Sequence, residues 1–342
     1  MSIVGGLDIH REQLTFDYLD TVTGQVLRGQ VTPADREQLR GWLGRFAGRA
    51  GVAFAVEGCT GWRYVAEEVA AAGLRPHVAD PAELAALRGR RRHAKTDRAD
   101  ARFAREQLQA GRLPECWIPP PHILECRALL EAYHDLRAEH TAWLQRIQAV
   151  LFHQGAPHPG SLTAAGGQDR LAEAAAGLSA AGQAQVANAL AMTAACEQRL
   201  ETTRRQVAEA ARHLAGARAL QERIYGAGPA TALALACWLG GAGRFSSARK
   251  AVRFAGLDVT VYSSAGKRSP GHLSRQGPPV LRWCAYEAGK THAHTAAPDH
   301  AYYAAVKDRI DGKRASLSEA RKIIRRAAHI LAELGDDALA PC

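Results

Sequence analysis

Short apolar runs alternate with amphipathic stretches over the first 115 residues, which is the pattern of a mixed α/β domain. Three runs near the start predict strands: "SIVGGLDIH", "QLTFDYLD" and "GQVLRGQVT". The second of them alternates apolar and polar residues, as a half-buried strand does. The turn "TVTG" between the second and the third predicts a hairpin.

Helices and strands alternate from residue 32 onward. "TPADREQLRGWLGRF" predicts a helix that begins at Thr32 and Pro33, a good cap and first-turn pair. "GVAFAVEG" predicts a buried strand that ends at Glu57, "GWRYVAEEVAAAG" a helix that closes at Gly73, and "LRPHVADP" a further short strand. The helix "AKTDRADARFAREQLQAG" follows. The resulting order, β-β-β-α-β-α-β-α, is that of a ribonuclease-H-like, or RuvC-like, fold.

A different periodicity starts at Leu129. Residues there follow a 4-3 spacing over about three heptads, which is typical of a coiled-coil seam. The positions are Leu129, Tyr133, Leu136, His140, Trp143, Ile147 and Val150. After a Pro- and Gly-rich break the spacing returns at Cys196, Leu200, Thr203, Val207, Ala210 and Leu214. Two such helices predict an antiparallel pair, within or between subunits, and an ordinary helical bundle is the alternative.

The region from Gln221 onward mixes apolar helices with a polar, basic loop. "GAGPAT", Gly226 to Thr231, precedes an apolar helix, and its form is similar to turns in which helix N-terminal amides meet phosphates. Such turns are also often purely structural. "FSSARKAVRFAG" predicts a short basic helix, "LDVTVYSSAGKRSPGHLSRQGPPVLRW" a loop, and "SEARKIIRRAAHILAEL" an amphipathic basic helix.

The composition of the chain indicates its size class and its net charge. The chain has 342 residues, enough for two or three domains, and a formal net charge of +10. This balance is compatible with nucleic-acid binding, although Arg- and Ala-rich proteins are also common in GC-rich genomes. The sequence shows neither a signal peptide nor an apolar run long enough to span a membrane, so we expect a cytoplasmic protein with no membrane partner. The seven scattered cysteines include no CxxC pair, which argues against a disulfide framework and a zinc site.

Four acidic residues are candidates for one metal site. Asp8 and Glu57 end predicted strands, and Asp97 and Asp100 lie in the first turn of a helix. In a ribonuclease-H-like sheet these strand ends meet, and residues at i and i+3 share one helix face. Carboxylate oxygens suit Mg²⁺, and two such ions can clamp both reacting oxygens of a phosphodiester. The alternative is structural, with Asp97 as a helix cap and Asp100 in a favourable first-turn position.

A second candidate site is the segment "VYSSAGKRSPGHLSRQG". It contains Ser263, Ser264, Ser269 and Ser274. A serine hydroxyl that attacks phosphorus needs activation, and it needs cations around the phosphate. Lys267, Arg268 and Arg275 supply those cations. The alternative is a solvated basic loop that only touches the DNA backbone.

Several segments resemble one family of insertion-element enzymes. "GLDIH", "AVEGCTGW", "KTDRADA", "GAGPATALAL", "FAGLDVTVYSSAGKRSPGHLSRQG" and "VLRWCAYEA" stand in the order found in the IS110 family of transposases. These are DEDD recombinases related to the pilin-gene DNA invertase, and the resemblance covers nearly the whole chain. It implies a RuvC-like DEDD domain at 1–115, a coiled-coil helical region at 116–216, a mainly helical transposase domain with the serine loop at 217–300, and a C-terminal basic helix at 301–342.

The resemblance also implies site residues and partners. The acidic tetrad of the family falls on Asp8, Glu57, Asp97 and Asp100, with Mg²⁺ as the cofactor. The nucleophile falls on Ser264, where Ala265 replaces the usual glycine and Ser263 stands immediately before it. Members of the family act on donor and target DNA under the guidance of a bridge RNA. They work as dimers that assemble into tetramers, with a composite site made by two subunits.

These expectations combine into one mechanism, in which Ser264 attacks a scissile phosphate polarised by Mg²⁺ and becomes linked to DNA. Nucleic-acid contacts are expected from the run Arg88 to Lys95, which includes Arg90, Arg91, Arg92 and Lys95, from Lys267, Arg268 and Arg275, and from the run Arg321 to Arg326. Two alternatives stay open. One is a metal-only ribonuclease-H-like nuclease or junction resolvase, and the other is a non-catalytic nucleic-acid-binding protein.

Overall fold

The computed structural model describes residues 1–89, 96–162, 164–241, 243–260, 262–264, 267–269 and 271–342, with 262–264 and 267–269 described by their backbone alone. The chain divides into two compact units, Met1–Ile118 and Pro119–Cys342. The first unit is mixed α/β, and the second is mainly helical. Finer boundaries, at residues 216 and 300, stay a prediction.

A six-stranded sheet forms the centre of the first unit. Its strands are β1 (Ile3–Ile9), β2 (Leu14–Asp20), β3 (Val26–Val31), β4 (Val52–Glu57), β5 (Arg75–Ala79) and β6 (Glu115–Cys116). The order across the sheet is β3-β2-β1-β4-β5-β6. Strands β1 to β3 pair antiparallel, β4 and β5 continue the sheet in parallel with β1, and β6 is antiparallel to β5. This mixed sheet is consistent with the predicted ribonuclease-H-like fold.

Four helices accompany the described strands of the first unit: α1 (Arg36–Leu43), α2 (Trp62–Ala71), α3 (Pro81–Leu87) and α4 (Asp97–Gln109). The prediction that the first helix begins at Thr32 and Pro33 is wrong. Helix α1 begins at Arg36 because Asp35 caps it, with the Asp35 side chain accepting a hydrogen bond from the Gln38 amide at 2.8 Å. Helix α3 and the two-residue strand β6 were not predicted.

The two faces of the sheet are packed differently. On one face, large side chains from β2, β4, α1 and the helical turn Gly44–Phe46 form an aromatic cluster with ring centroids 4.8–6.2 Å apart: Phe16, Tyr18, Trp42, Phe46 and Phe54. On the other face the buried strand residues Val4, Ala53 and Ala55 are smaller, and α4 packs on them through Ala104 and Leu108. Small side chains allow α4 to lie close to β1 and β4, and this close packing positions the residues at the start of α4.

The second unit is built from helices and one hairpin. The helices are α5 (Pro121–His153), α6 (Gly167–Ala176), α7 (Ala180–Arg212), α8 (Ala215–Arg223), α9 (Pro229–Leu239), α10 (Ala248–Phe254), α11 (Pro279–Lys290), α12 (His300–Arg309) and α13 (Gly312–Leu334). The hairpin consists of β7 (Tyr262–Ser264) and β8 (Lys267–Ser269). No helix in the described part of the chain is both long and apolar enough to cross a membrane.

Helices α5 and α7 form an antiparallel pair within the chain. His140 Nε2 lies 3.1 Å from Glu197 Oε1 near the middle of the pair, and the Ser179 amide donates to Gln154 Oε1 at 2.9 Å near one end. Every residue of the two predicted seams is buried or half-buried. The structure therefore places the pair within one subunit, while its supercoiling as a coiled coil stays a prediction.

Several cationic side chains of the basic helix α13 form contacts within the second unit. Arg321 Nε donates to the Leu257 carbonyl at 2.7 Å, and Lys322 and Arg326 pair with Asp299 at 2.9 and 2.7 Å. These contacts hold three cations of the run Arg321 to Arg326 against the unit's own residues. They weaken the prediction that the whole run contacts nucleic acid.

Candidate active site

Two neighbouring parallel strands bring Asp8 and Glu57 to the same end of the sheet. Leu7 of β1 stands opposite Val56 of β4, so the residue that follows each of them lies at the same level. Alternation along each strand puts Asp8 on the face of Val4, and Glu57 on the face of Ala53 and Ala55. This is the face that α4 covers.

The start of α4 lies on this face of the sheet. The N-cap of α4 is Thr96, whose hydroxyl accepts a hydrogen bond from the Ala99 amide at 3.3 Å. The structural alternative, in which Asp97 caps the helix, is therefore wrong, because Thr96 already fills that position. Asp97 and Asp100 lie in the first turn, with the Asp97 side chain 41 % exposed and that of Asp100 10 % exposed.

His10 connects Asp8 of β1 with Asp97 of α4, and the sequence pattern did not single it out. His10 Nε2 lies 3.1 Å from Asp8 Oδ2 and 3.2 Å from Asp97 Oδ1. Gln13 Nε2 donates to the other Asp97 oxygen at 3.3 Å. The signal was present in "GLDIH", because residues two apart in an extended chain share one face. Asp8, His10 and Asp97 each offer one ligand atom, and these atoms lie within 4.8 Å of one another.

The surroundings of Asp8 disfavour its negative charge. Burial raises the pKa of Asp8, the negative charges of Asp100 and Asp97 raise it further, and His10 opposes them. Asp8 Oδ2 is buried and has no hydrogen-bond donor of good geometry among the described residues. A divalent ion would satisfy this oxygen and relieve the repulsion between the carboxylates. The donor set therefore fits a hard cation.

Asp100 and Glu57 lie beside this group in different surroundings. Asp100 pairs with Arg88, whose guanidinium also lies 4.7 Å from the ring centre of Phe103. The pKa of the Cys59 thiol is raised by burial, then by the charges of Glu57 and Asp8, so both carboxylates act on the same thiol. The structure thus brings Asp8 and Asp97 together through His10, with Asp100 held by Arg88 and Glu57 at the adjoining strand end.

A buried ion pair anchors α4 to the sheet. Arg105 Nε lies 2.5 Å from Asp17 Oδ1, and the two side chains are 7 % and 2 % exposed. Arg28 Nε contacts the second Asp17 oxygen at 2.7 Å. Because Arg105 belongs to α4 and Asp17 to β2, this pair restrains the helix that carries Asp97 and Asp100.

The serine segment is a hairpin and not the loop that was predicted. Ser264 stands opposite Lys267, and Ser263 opposite Arg268, in antiparallel register. A strand of three residues carries little periodicity, so the pattern favoured a loop. Arg275 is exposed and has a left-handed backbone, φ 52°. Arg90, Arg91, Arg92 and Lys95 lie outside the described residues.

Two family models match separate parts of the chain. A DEDD transposase model of the IS110 group matches residues 5–153, which include all four carboxylates and His10. A second model, described as "Transposase IS116/IS110/IS902 family", matches residues 218–304, which include the serine hairpin. No curated protein matches the chain.

The first match defines the class of enzyme, a DEDD-type DNA transposase or recombinase. Together the two matches cover about two thirds of the chain, and the chain belongs to the IS110 family of transposases. The family acts on DNA, and its DEDD carboxylates imply the use of a divalent metal.

Proposed function

We propose that this transposase cuts and rejoins DNA through a covalent phosphoserine intermediate. Asp8, Glu57, Asp97 and Asp100 would hold Mg²⁺, and Ser264 would be the nucleophile. The observation that carries the proposal is the convergence of ligand atoms from Asp8, His10 and Asp97 within 4.8 Å of one another, around the buried oxygen Asp8 Oδ2. This cluster lies in the part of the chain that the DEDD model matches.

The carboxylates provide the ligands of the site. Asp8 and Asp97 offer oxygens directly to the cluster, Asp100 adds negative charge from the same turn of α4, and Glu57 adds it from the adjoining strand end. Oxygen donors of this kind favour Mg²⁺ over softer metals. The chemistry that a bound ion supplies is stabilisation of the negative charge that develops on the phosphate and the leaving oxygen. His10 orients Asp8 and Asp97 toward each other.

The serine step conserves the phosphodiester energy. The Ser264 oxygen forms a bond to phosphorus, and the bond between phosphorus and one deoxyribose oxygen breaks. The proton of the serine hydroxyl ends on that leaving oxygen, so the products are a serine phosphodiester and a free DNA hydroxyl. Attack by a DNA hydroxyl on the serine phosphodiester reverses these changes and joins a new strand. Lys267, opposite Ser264 in the hairpin, lies in the segment that provides positive charge for the phosphate.

In this proposal an RNA, and not the protein, recognises the DNA sequence. A bridge RNA would pair with donor and target DNA, so the protein needs to recognise only shape and phosphates. The net charge of +10 suits such a role. Dimers that assemble into tetramers would complete a composite site, with the carboxylates of one subunit and the serine of another.

A metal-only nuclease is the second candidate. The group of Asp8, His10 and Asp97 is assembled from residues of the first unit. Such a site could hydrolyse a phosphodiester without a serine. In that case Ser264 would only touch the DNA backbone.

Covalent trapping separates the two candidates. The full chain would be mixed with Mg²⁺, RNA transcribed from the flanking element and labelled donor DNA, then run on a denaturing gel. We expect a slow-migrating adduct that is lost in Ser264→Ala and in Asp97→Asn. The neighbouring Ser263→Ala is the matched control and keeps the adduct. Cleaved DNA with no adduct, unchanged in Ser264→Ala, would establish the metal-only nuclease.

Mixing variants tests the composite site. Ser264→Ala and Asp97→Asn are each inactive alone in this proposal, but a mixed assembly contains sites with an intact tetrad from one subunit and an intact serine from another. We expect strand transfer to reappear on mixing. If it does not, although each variant still assembles with wild-type subunits, both halves of the site belong to one chain.

A further inference from the structure

The second unit contains a cavity of about 420 Å³ where α5, α7 and the start of α9 meet. It is lined by Tyr133 of α5, by Arg204 and Arg205 of α7, and by residues 228–231 at the start of α9. None of these residues belongs to the carboxylate cluster or to the serine hairpin. The cavity therefore needs an explanation of its own.

The start of α9 presents backbone donors to this cavity. The N-cap is Gly228, which has no side chain to accept from them, and Pro229 occupies the first turn. The first amide of the helix with an internal acceptor is that of Ala232, which donates to the Gly228 carbonyl at 2.9 Å. The amides of Ala230 and Thr231 have no acceptor in the described part of the chain. Free amides and the helix dipole favour an anion at this position.

Two largely buried residues with hydroxyl groups, Thr231 and Tyr133, also line the cavity. Thr231 is 8 % exposed and Tyr133 is 9 % exposed. Neither hydroxyl forms a hydrogen bond with any residue that the structure describes. Neither hydroxyl oxygen is among the fully buried polar atoms, so both are accessible to a ligand. Their position in the cavity wall points to a ligand that accepts hydrogen bonds.

The wall of the cavity carries positive charge, as the binding of an anion requires. Arg204 and Arg205 pair with the same carboxylate, that of Glu201, at 2.8 and 2.9 Å. Two guanidinium groups thus share one negative charge, and the described residues that line this cavity include no acid. Arg204 also lines a neighbouring cavity of about 320 Å³ along the α5–α7 pair, whose wall contains Arg137 and the acids Glu197 and Glu201.

We propose that this cavity is a binding site for a backbone phosphate of nucleic acid. The amides of Ala230 and Thr231 and the hydroxyls of Thr231 and Tyr133 donate to the phosphate oxygens. Arg204 and Arg205 supply the charge. The ligand is a phosphodiester, which DNA and RNA share, and the contact positions the strand without reading its sequence. The inference rests on the action of the family on nucleic acid and does not require a serine nucleophile.

Gly228 offers a test that separates binding from folding. Its backbone, φ −67° and ψ 175°, suits any residue, and an added Cβ meets no atom of the described residues within 4 Å. In Gly228→Asp the new carboxylate caps α9 and fills the place of the phosphate with negative charge. Gly228→Ala adds the carbon without the cap or the charge, and it is the matched control.

Binding of a labelled single-stranded RNA and a labelled DNA duplex would be measured by fluorescence anisotropy with the full chain. We expect Gly228→Asp to weaken binding by roughly tenfold while its melting temperature rises. Gly228→Ala should bind as wild type does. A loss confined to RNA or to DNA identifies the source of the phosphate. Wild-type affinity of Gly228→Asp for both would overturn the proposal.

The salt dependence provides an independent readout. The double variant Arg204→Gln with Arg205→Gln should lower the slope of log Kd against log salt by about one to two. Arg199→Gln removes an exposed charge from the same helix outside the cavity wall, and its slope should stay unchanged. Equal slopes for all three proteins would also overturn the proposal. The serine adduct assay does not depend on this cavity, so failure here leaves it intact.

Discussion

Asp97 Oδ1 lies 3.2 Å from His10 Nε2, although Asp97 opens helix α4 and His10 follows strand β1. The same imidazole nitrogen lies 3.1 Å from Asp8 Oδ2. The geometry of the carboxylate cluster therefore depends on how closely α4 packs against β1.

Gly6 sets that packing distance. A Cβ at Gly6 would lie 2.0 Å from the Ala101 carbonyl oxygen and 2.7 Å from the Arg105 amide, both in the backbone of α4. We expect Gly6→Ala to displace α4, to lower the free energy of unfolding by about 1–3 kcal/mol and to reduce DNA cleavage by at least roughly tenfold. Urea denaturation and a cleavage assay measure the two effects.

Gly41→Ala is the control for this substitution. Gly41 is exposed in α1, with no atom within 4 Å of an added Cβ. Alanine there should stabilise the helix by about 0.5–1 kcal/mol and leave cleavage unchanged. Full activity of Gly6→Ala would show that the position of α4 does not control the site.

Asp8 should make the metal-free protein less stable at neutral pH. Burial, then the charges of Asp100 and Asp97, raise its pKa, with His10 opposing them. A carboxyl whose pKa is raised by folding binds more protons in the folded state than in the unfolded chain. Stability therefore falls as pH rises from the unfolded pKa, about 4, through the raised folded value. We expect Asp8→Asn to raise the melting temperature at neutral pH by on the order of a degree or two, and to have little effect below about pH 4.

Adding Mg²⁺ completes this prediction. The ion should raise the melting temperature of the wild type more than that of Asp8→Asn, because it binds the folded carboxylate cluster. Scanning fluorimetry with and without MgCl₂ measures both shifts. An equal shift in the two proteins would mean that Asp8 does not bind the ion.

The pair Arg105–Asp17 should contribute strongly to the stability of the first unit. Arg105→Met leaves the buried Asp17 carboxylate with Arg28 as its partner, and we expect the free energy of unfolding to fall by about 3 kcal/mol. Arg102→Met removes an exposed ion pair with Glu106 from the same helix and should hardly change stability. Urea denaturation of both variants checks the difference. Equal losses in the free energy of unfolding would show that the buried Arg105–Asp17 pair stabilises the protein no more than the exposed Arg102–Glu106 pair does.

Much of the first unit could be predicted because its strands are short apolar runs between clear turns. The start of α1 could not, since Thr32 and Asp35 are both good caps and only packing decides between them. Strand β6 has two residues, which is too short for a periodic signal. The hairpin β7–β8 has the same difficulty, with three residues on each side.

The sequence predicted those parts of the candidate site that depend on local periodicity. Asp8 and Glu57 follow apolar strand residues, and Asp97 and Asp100 share a helix face, so their convergence follows from the fold type. His10 could have been added from its two-residue spacing to Asp8. The pairing of Asp100 with Arg88 and of Asp17 with Arg105 could not, because the first depends on how the end of α3 meets α4 and the second on α4 packing against β2.

Whether Ser264 carries the DNA during strand transfer decides between serine recombination and metal-only hydrolysis. After reaction with Mg²⁺, RNA and donor DNA, the full chain would be digested with nuclease and protease and sequenced by tandem mass spectrometry. We predict a nucleotide phosphate on Ser264, present in the wild type and absent when Asp8→Asn is treated in the same way. Cleaved DNA without a modified peptide, or a nucleotide on another residue, would contradict Ser264 as the nucleophile.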